Sequence, residues 1–488
     1  MQRSSIQNAA FCVEAPERKK TVPSPVIVWF RQDLRLNDNP AFASAIRTRA
    51  PIIPVFIDDT VHGRQTGRTS LWWRNKSLTA LANDLKTRGL NLIYRKGDGL
   101  DIMRALVEET DAAQVFWNRQ YEKGTIARDT ELKSWLKVNN RQGKGHVGNL
   151  FFDPWQIKNK SSGSHFKVFS PFWKACQNAG LPCDLSTPPP QIAGPEQILE
   201  SLPLPAVGAP PAPEMDSLWQ PGERGALKML DAFFDESLDG YADNRDIPGG
   251  ITTSRLSPHL RWGEISPQRI YASLGEARLD TNDGRKFLSE VGWREFSYYL
   301  LYHYPDMPER SLQSKFEAFP WRNAPEDLEA WKQGRTGYPI VDAGMRELVR
   351  TGFMHNRTRM IAASFLTKHL LIDWREGEKW FWECLADADP ANNVAGWQWT
   401  AGCGADAAPY FRIFNPIIQG QKFDPDGVYT KTYAPELAKL TGKLIFAPWE
   451  ASSETLSDAG IALDVDYPAP IVKHETARAR ALDVFHGL

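Results

Sequence analysis

Cysteine is scarce and scattered: Cys12, Cys176, Cys183, Cys384 and Cys403 are odd in number, and none stands in a CxxC pair. That excludes a disulfide scaffold and a thiolate metal or redox site, and it fits a reducing cytoplasm. No window approaches eighteen consecutive apolar residues, so no membrane span is expected. Excess charge is missing too. A formal net charge of −1 argues against non-specific coating of nucleic acid while leaving room for a local basic patch. No glycine-rich phosphate fingerprint follows the first apolar run, which disfavours an ordinary Rossmann dinucleotide site there. Residues 1–24 have no apolar core of signal-peptide length, contain acids that argue against a transit sequence, and read as a flexible extension.

With 488 residues the chain exceeds the size at which a single core usually stops growing, so two domains are expected. Apolar runs at Val26 to Trp29, Ile52 to Ile57, Leu92 to Tyr94 and Val115 to Trp117 alternate with helical stretches such as Ser77 to Arg88 and Asp101 to Glu109. This alternation predicts an α/β domain over 25–185, with a Rossmann-like parallel sheet covered on both faces. Residues 186–221 carry too much proline for a continuous helix or a central strand and read as an inter-domain linker. Beyond them, apolar residues recur at helical spacing in Gly225 to Phe234, Pro267 to Leu274, Gly284 to Tyr302, Val341 to Arg350, Thr358 to Leu371 and Lys379 to Ala386. Residues 222–488 are therefore expected to be all-α.

Tryptophan is abundant, and nine of the 18 fall between Trp262 and Trp399. The densest chemistry lies from Ala386 to Pro416, ADADPANNVAGWQWTAGCGADAAPYFRIFNP. It is too polar for an ordinary core element and too rich in Trp and Ala for a solvated loop, which points to groups converging on a buried ligand. Asp387 and Asp389 offer acceptors for ribose hydroxyls or a partner for a buried Arg, and the Asn393 amide suits a heteroaromatic ring edge. Trp397 and Trp399 share a face if this segment is extended and point roughly 200° apart if it is helical.

This segment resembles the flavin-binding end of the photolyase and cryptochrome family. Other blocks follow in family order: VIVWFRQDLRLNDNPAF (Val26 to Phe42), TSRLSP (Thr253 to Pro258), EVGWREF (Glu290 to Phe296), GRTGYPIVDAGMREL (Gly334 to Leu348), FMHNRTRMIAASFL (Phe353 to Leu366) and LIDWREGE (Leu371 to Glu378). The resemblance runs from Ser24 to about Ala477 and is nearest to bacterial photolyases of class III, with class I as the alternative.

The resemblance implies FAD in the helical domain. Around TSRLSP, the hydroxyls of Thr253, Ser254 and Ser257 stand beside backbone amides near a helix start, an anion site suited to a pyrophosphate. Leu256 belongs to the same block, and Tyr241 and Arg294 match positions that contact the phosphates. Arg359 and Asp387 match a buried pair beside the flavin ring, Asp389 completes the flavin-binding set, and Asn393 matches the residue facing flavin N5. Plant cryptochromes commonly carry aspartate at that last position, and an amide cannot lend a proton as a carboxylic acid can.

Glu290, Trp293, Asn356, Arg357, Met360 and Trp399 match positions that bind a cyclobutane pyrimidine dimer, and His355 reads as structural. Arg346, Arg350 and Arg357 suggest a grip on phosphates. Trp397, Trp374 and Trp321 match a three-tryptophan electron relay, whereas Trp380 and Trp382 read as packing. Glu122, in WNRQYEKGTIARD, matches a folate-binding acid, so methenyltetrahydrofolate is the expected antenna, with a deazaflavin or none as the alternatives; Trp155, Phe169 and Trp173 are alternative aromatic contacts that read rather as boundary packing. The implied activity is light-driven repair of pyrimidine dimers in single- or double-stranded UV-damaged DNA, by a monomer in the bacterial cytoplasm and nucleoid, with no metal. The alternative is a cryptochrome-type blue-light receptor.

Overall fold

The computed structural model describes residues 23–159 and 163–488; the extension expected over 1–24 lies, but for its last two residues, outside them. Five parallel strands, β1 (Val26–Phe30), β2 (Ile52–Asp59), β3 (Ile93–Gly97), β4 (Gln114–Asn118) and β5 (Gln142–His146), form one sheet in the order β3-β2-β1-β4-β5. Alternation along the strands divides the cores. Val28, Phe30 and Phe56 pack with Trp73, Leu78 and Leu81 of the helix Arg68–Lys86. Ile27, Trp29, Val55 and Ile57 pack on the other face with Met103 and Leu106 of the helix Gly99–Thr110 and Leu132 and Leu136 of the helix Lys123–Val138. Both faces of the sheet are thus covered, as a parallel sheet requires.

Sequence periodicity missed β5, and the reason is physical. QGKGH is an edge strand with no apolar residue, held by pairing with β4 rather than by burial. The helix expected over Ser77–Arg88 begins nine residues earlier, at Arg68, because its first turns bury Thr69, Ser70, Arg74 and Asn75, polar groups that hide the helical period.

Residues 186–221 hold only one short helix, Met215–Leu218, and otherwise run along the sheet domain. Ile52 N–H donates to Ala193 O (2.9 Å), Ile192 N–H to Arg88 O (2.9 Å) and Leu202 N–H to Tyr94 O (3.0 Å). Beyond this segment the described residues are helical, led by Glu223–Glu236, Pro267–Leu279, Asn282–His303, Pro339–Thr351 and Trp374–Cys384. The helix expected over Thr358–Leu371 is shorter: α-helix spans Asn356–Ser364, and a π-helical turn Phe365–His369 follows it.

The two parts meet closely at the loop after β2. A Cβ added to Gly67 would sit 2.0 Å from Trp382 O, so only glycine permits this approach to the helix Trp374–Cys384. Next to it, Trp382 Nε1 donates to Gln65 O (2.8 Å) and Arg68 N–H to Glu383 Oε2 (3.2 Å). Gly67→Ala must push the loop away, and a loss of about 2 kcal/mol is expected, read as a lower urea midpoint against wild type.

Candidate functional site

A cavity of about 650 Å³ opens within the helical domain. One wall is the helix Asn282–His303, where Glu290, Trp293 and Arg294 share a face at i, i+3 and i+4. A second wall is the helix Asn356–Ser364, and a third is the helix Asn392–Ala401 with the turn before it. That last helix settles the tryptophan geometry: Trp397 points into the core, and Trp399, half-buried, faces the cavity mouth. Asp389 starts it, its Oδ1 accepting from Ala391 N–H (2.9 Å) and Asn392 N–H (2.8 Å), while Oδ2 accepts from Tyr298 OH (2.7 Å).

The lining brings together Tyr241, Ser254, Leu256, Ser257, Arg294, Arg359, Asp387, Asp389 and Asn393 from the expected cofactor set. It does not include Thr253. The serines sit at a turn, where Arg255 adopts a left-handed φ of 50° before the five-residue helix Ser257–Arg261. Arg359 Nη2 donates to Asp387 Oδ2 (2.8 Å), and Arg359 Nε donates to Met354 O (2.7 Å). Asp387 is 4% exposed, so this pairing is what keeps a charge tolerable there. Arg294 reaches Asn149 O (2.5 Å) and Leu260 O (3.3 Å), tying the wall to the segment that follows the sheet.

The charge balance of the lining favours an anion, with six cations, Arg245, Arg261, Lys286, Arg294, Arg357 and Arg359, against four carboxylates. Four buried polar atoms in this wall, Asp387 Oδ1, Arg261 Nη1, Arg357 Nε and Trp397 Nε1, have no hydrogen-bond partner among the described residues. An acceptor and donors left over on a closed wall fit a ligand bearing hydroxyls and phosphates, the chemistry of FAD. Arg245, Arg261 and Lys286 escaped the sequence reading, since nothing in their local spacing marks them.

The residues expected to bind a dimer line the outer part of the cavity. Glu290 pairs with Arg245, and Lys286 Nζ lies 3.5 Å from the same carboxylate oxygen. Trp293 is clamped flat on Phe169, with centroids 4.0 Å apart and an interplanar angle of 12°, so Phe169 serves packing there. Asn356 Nδ2 lies 3.8 Å from Met360 Sδ, one helical turn on. Arg357, Met360 and Trp399 also border an adjoining outer cavity with Arg412, Phe414 and Lys422. Arg357 is held by Asp246 (2.6 Å), whereas Arg346 and Arg350 are occupied by Glu436 (2.6 Å) and Glu214 (2.5 Å). Arg412 and Lys422 are the exposed cations at the mouth, and neither forms an ion pair among the described residues.

Of the relay candidates, Trp397 borders the cavity and Trp374 is fully buried on the helix against which Trp397 packs. Trp321 is half-buried beside Phe319 (4.2 Å). Trp331, which sequence reading passed over, lies edge-on to Trp397 at 6.0 Å. Glu122 borders a separate cavity of about 220 Å³ at the carboxyl ends of the strands, with Trp29, Arg31, Asp59 and Lys96. This is where the strand order reverses, the usual ligand position in open α/β sheets.

A two-domain flavoprotein is the class that this architecture and this cavity define. Residues 26–193 match the family described as DNA photolyase, and residues 287–487 match the FAD binding domain of DNA photolyase. The chain is 46% identical to the deoxyribodipyrimidine photo-lyase of Agrobacterium fabrum, across 95% of this chain and 98% of that one. It is 36% identical to Cryptochrome-1 of Arabidopsis thaliana, across 93% of this chain and 69% of that one. Among solved structures, a bacterial class III photolyase from Agrobacterium tumefaciens superposes with a TM-score of 0.93 at 44% identity, covering 97% and 99% of the two chains. An archaeal photolyase from Sulfolobus tokodaii, described with two FAD molecules, gives a TM-score of 0.80 at 28% identity, covering 95% and 100%. The chain belongs to the photolyase and cryptochrome family, and its helical domain is an FAD-binding one.

One titration bears on the site. Burial pushes the Glu347 carboxyl up to about 7; it accepts from Tyr429 OH (2.6 Å) and from His355 N–H (3.0 Å). His355 in turn caps the Asn356–Ser364 helix by accepting from Arg357 N–H (3.2 Å), a structural role. A carboxyl raised from about 4.3 in the unfolded chain stabilises the fold fully below that value and loses the contribution as pH rises through about 7. Between about pH 5 and pH 8 the wild-type melting temperature should therefore fall more than that of Glu347→Gln; parallel curves would refute the assignment.

Proposed function

We propose that the protein is a class III deoxyribodipyrimidine photo-lyase that opens cyclobutane pyrimidine dimers in DNA under blue light. What carries this reading is a single cavity whose inner wall holds the Arg359–Asp387 pair and whose outer wall holds Glu290, Trp293, Asn356, Met360 and Trp399. The likeness to a class III photolyase structure favours that branch over class I. FAD held against the Arg359–Asp387 wall would supply light-driven one-electron chemistry for opening the cyclobutane ring, with no net change of redox state.

The chain's own residues bind, orient and exclude water. Trp293, fixed against Phe169, and Trp399 across the cavity give two flat walls for two fused neighbouring pyrimidines that have left the duplex. Such stacking is worth about 1–3 kcal/mol per base, enough to offset a flip that is cheapest for damaged bases. Glu290, turned from Arg245, would hold the dimer's carbonyl and imide groups by hydrogen bonding. Arg357, Arg412 and Lys422 at the mouth suit phosphates, a grip independent of sequence. Trp397, Trp374 and Trp321 would pass electrons in from the surface. The form proposed is a monomer acting on UV-damaged DNA in the cytoplasm.

For the antenna, Glu122 and the cavity at the strand ends support methenyltetrahydrofolate, whereas Trp155 lies outside that lining and packs on Tyr121 and Tyr302. Denaturing the purified protein and identifying the released chromophores checks this; a second flavin in place of folate would overturn it.

The deciding experiment is repair of an oligonucleotide with one thymine dimer by reduced protein in blue light. Repair is expected, and binding without repair would favour the cryptochrome-type receptor. Glu290→Ala should lower repair per absorbed photon by about tenfold, while affinity for damaged DNA, set mainly by phosphate contacts, changes less than about threefold. Equal losses in both would remove Glu290 from the chemistry.

A further inference from the structure

We infer that Arg64, on the loop after β2, is a positioning residue for the flavin site: it fixes the Glu378 carboxylate, which fixes the Asn393 amide with its oxygen toward the cavity. The inference rests on the proposed placement of Asn393 beside the flavin ring. Its geometry is independent of that placement.

Asn393 Nδ2 donates to Glu378 O (3.1 Å) and to Glu378 Oε1 (2.7 Å). A backbone carbonyl can only accept, so the amide nitrogen must face Glu378, and both its hydrogens are used there. The oxygen is the end left for a ligand. Glu378 is itself only 6% exposed, and a carboxylate left without a partner at that depth is costly. Arg64 is its partner through two parallel bonds, Nη1 to Oε1 (2.5 Å) and Nη2 to Oε2 (2.9 Å).

Arg64 is in turn held in place from several sides. Its guanidinium lies 3.9 Å over the Trp382 ring, and its backbone N–H donates to Glu122 Oε2 (3.3 Å). Gly67 and the Gln65–Trp382 bond lock the same loop onto the helix that carries Glu378. The order of influence is therefore Arg64, Glu378, Asn393, from one domain into the other.

The chemical consequence concerns N5 of the flavin. Reduction places a hydrogen there, whereas the oxidised ring has only a lone pair at that atom. A fixed acceptor favours the reduced form, and an amide free to turn and present its N–H favours the oxidised form. Loss of Arg64 should therefore lower the reduction potential of the bound flavin.

The test is a redox titration of the DNA-free holoprotein, with FAD content and melting temperature measured alongside. At a fixed solution potential, Arg64→Met should reduce the ratio of reduced to oxidised flavin on the order of tenfold, the worth of a charge-assisted hydrogen bond. Arg64→Lys separates positioning from plain electrostatics: it keeps the charge and the place over Trp382 but loses the paired bonds. Positioning predicts a fall of roughly threefold in Arg64→Lys, since part of that bond's worth is kept. A wild-type potential in Arg64→Lys overturns the proposal, and Arg64→Lys decides alone if Arg64→Met loses its FAD. Asn393→Ala distinguishes the two levels. If it leaves the potential unchanged, the placement of Asn393 fails and takes the proposal with it; if it shifts the potential while the Arg64 variants do not, only the link through Arg64 falls.

Discussion

A cavity of about 650 Å³ inside a close-packed helical domain depends on the charged groups in its wall finding partners in that wall or just behind it. Removing a carboxylate or guanidinium from water costs several kcal/mol unless another group replaces the lost hydration. Each wall charge meets that requirement differently. Asp387 has Arg359, Asp389 has two backbone N–H groups and Tyr298, and Arg294 has two carbonyl oxygens. The atoms left over, Asp387 Oδ1 and Arg261 Nη1, are those that a bound cofactor would complete.

Backbone geometry then assigns the aromatic residues. Asp389 begins the helix Asn392–Ala401, and helical rotation sends two tryptophans of a Trp-Gln-Trp element to different duties. Trp397 goes inward, beside Phe381 (4.9 Å) and close to the helix Trp374–Cys384, where Gly377 leaves room for its ring. Trp399 goes to the mouth. The same rotation puts Asn393 on the cavity and against Glu378, so one helix carries the residues proposed for the cofactor, the electron path and the substrate face.

Much of this was legible before the structure. The four apolar strands and the long helices announced themselves because their burial is one-sided or complete, which writes a period into the sequence. Elements held by pairing or by polar burial did not, β5 and the first turns of Arg68–Lys86 among them. The same division applies to the site. Residues within recognisable blocks, such as Glu290, Arg359 and Asp387, were accessible, and the structure gathers them on one cavity. Arg64, Arg245, Arg412 and Lys422 were not, since their roles arise from contacts across long stretches of chain that no local spacing records. Arg346 and Arg350 are the converse case: basic residues near a functional block in sequence, whose guanidinium groups the structure engages with Glu436 and Glu214.

The proline-rich segment after the sheet domain has a mechanical meaning. Its prolines forbid regular structure, yet Ala193 O receives a hydrogen bond from β2, and Ile192 and Leu202 donate to Arg88 and Tyr94. A tether stitched down along its length stores no slack. Light energy gathered in one half would then cross to the other over a gap that this stitching helps to hold constant.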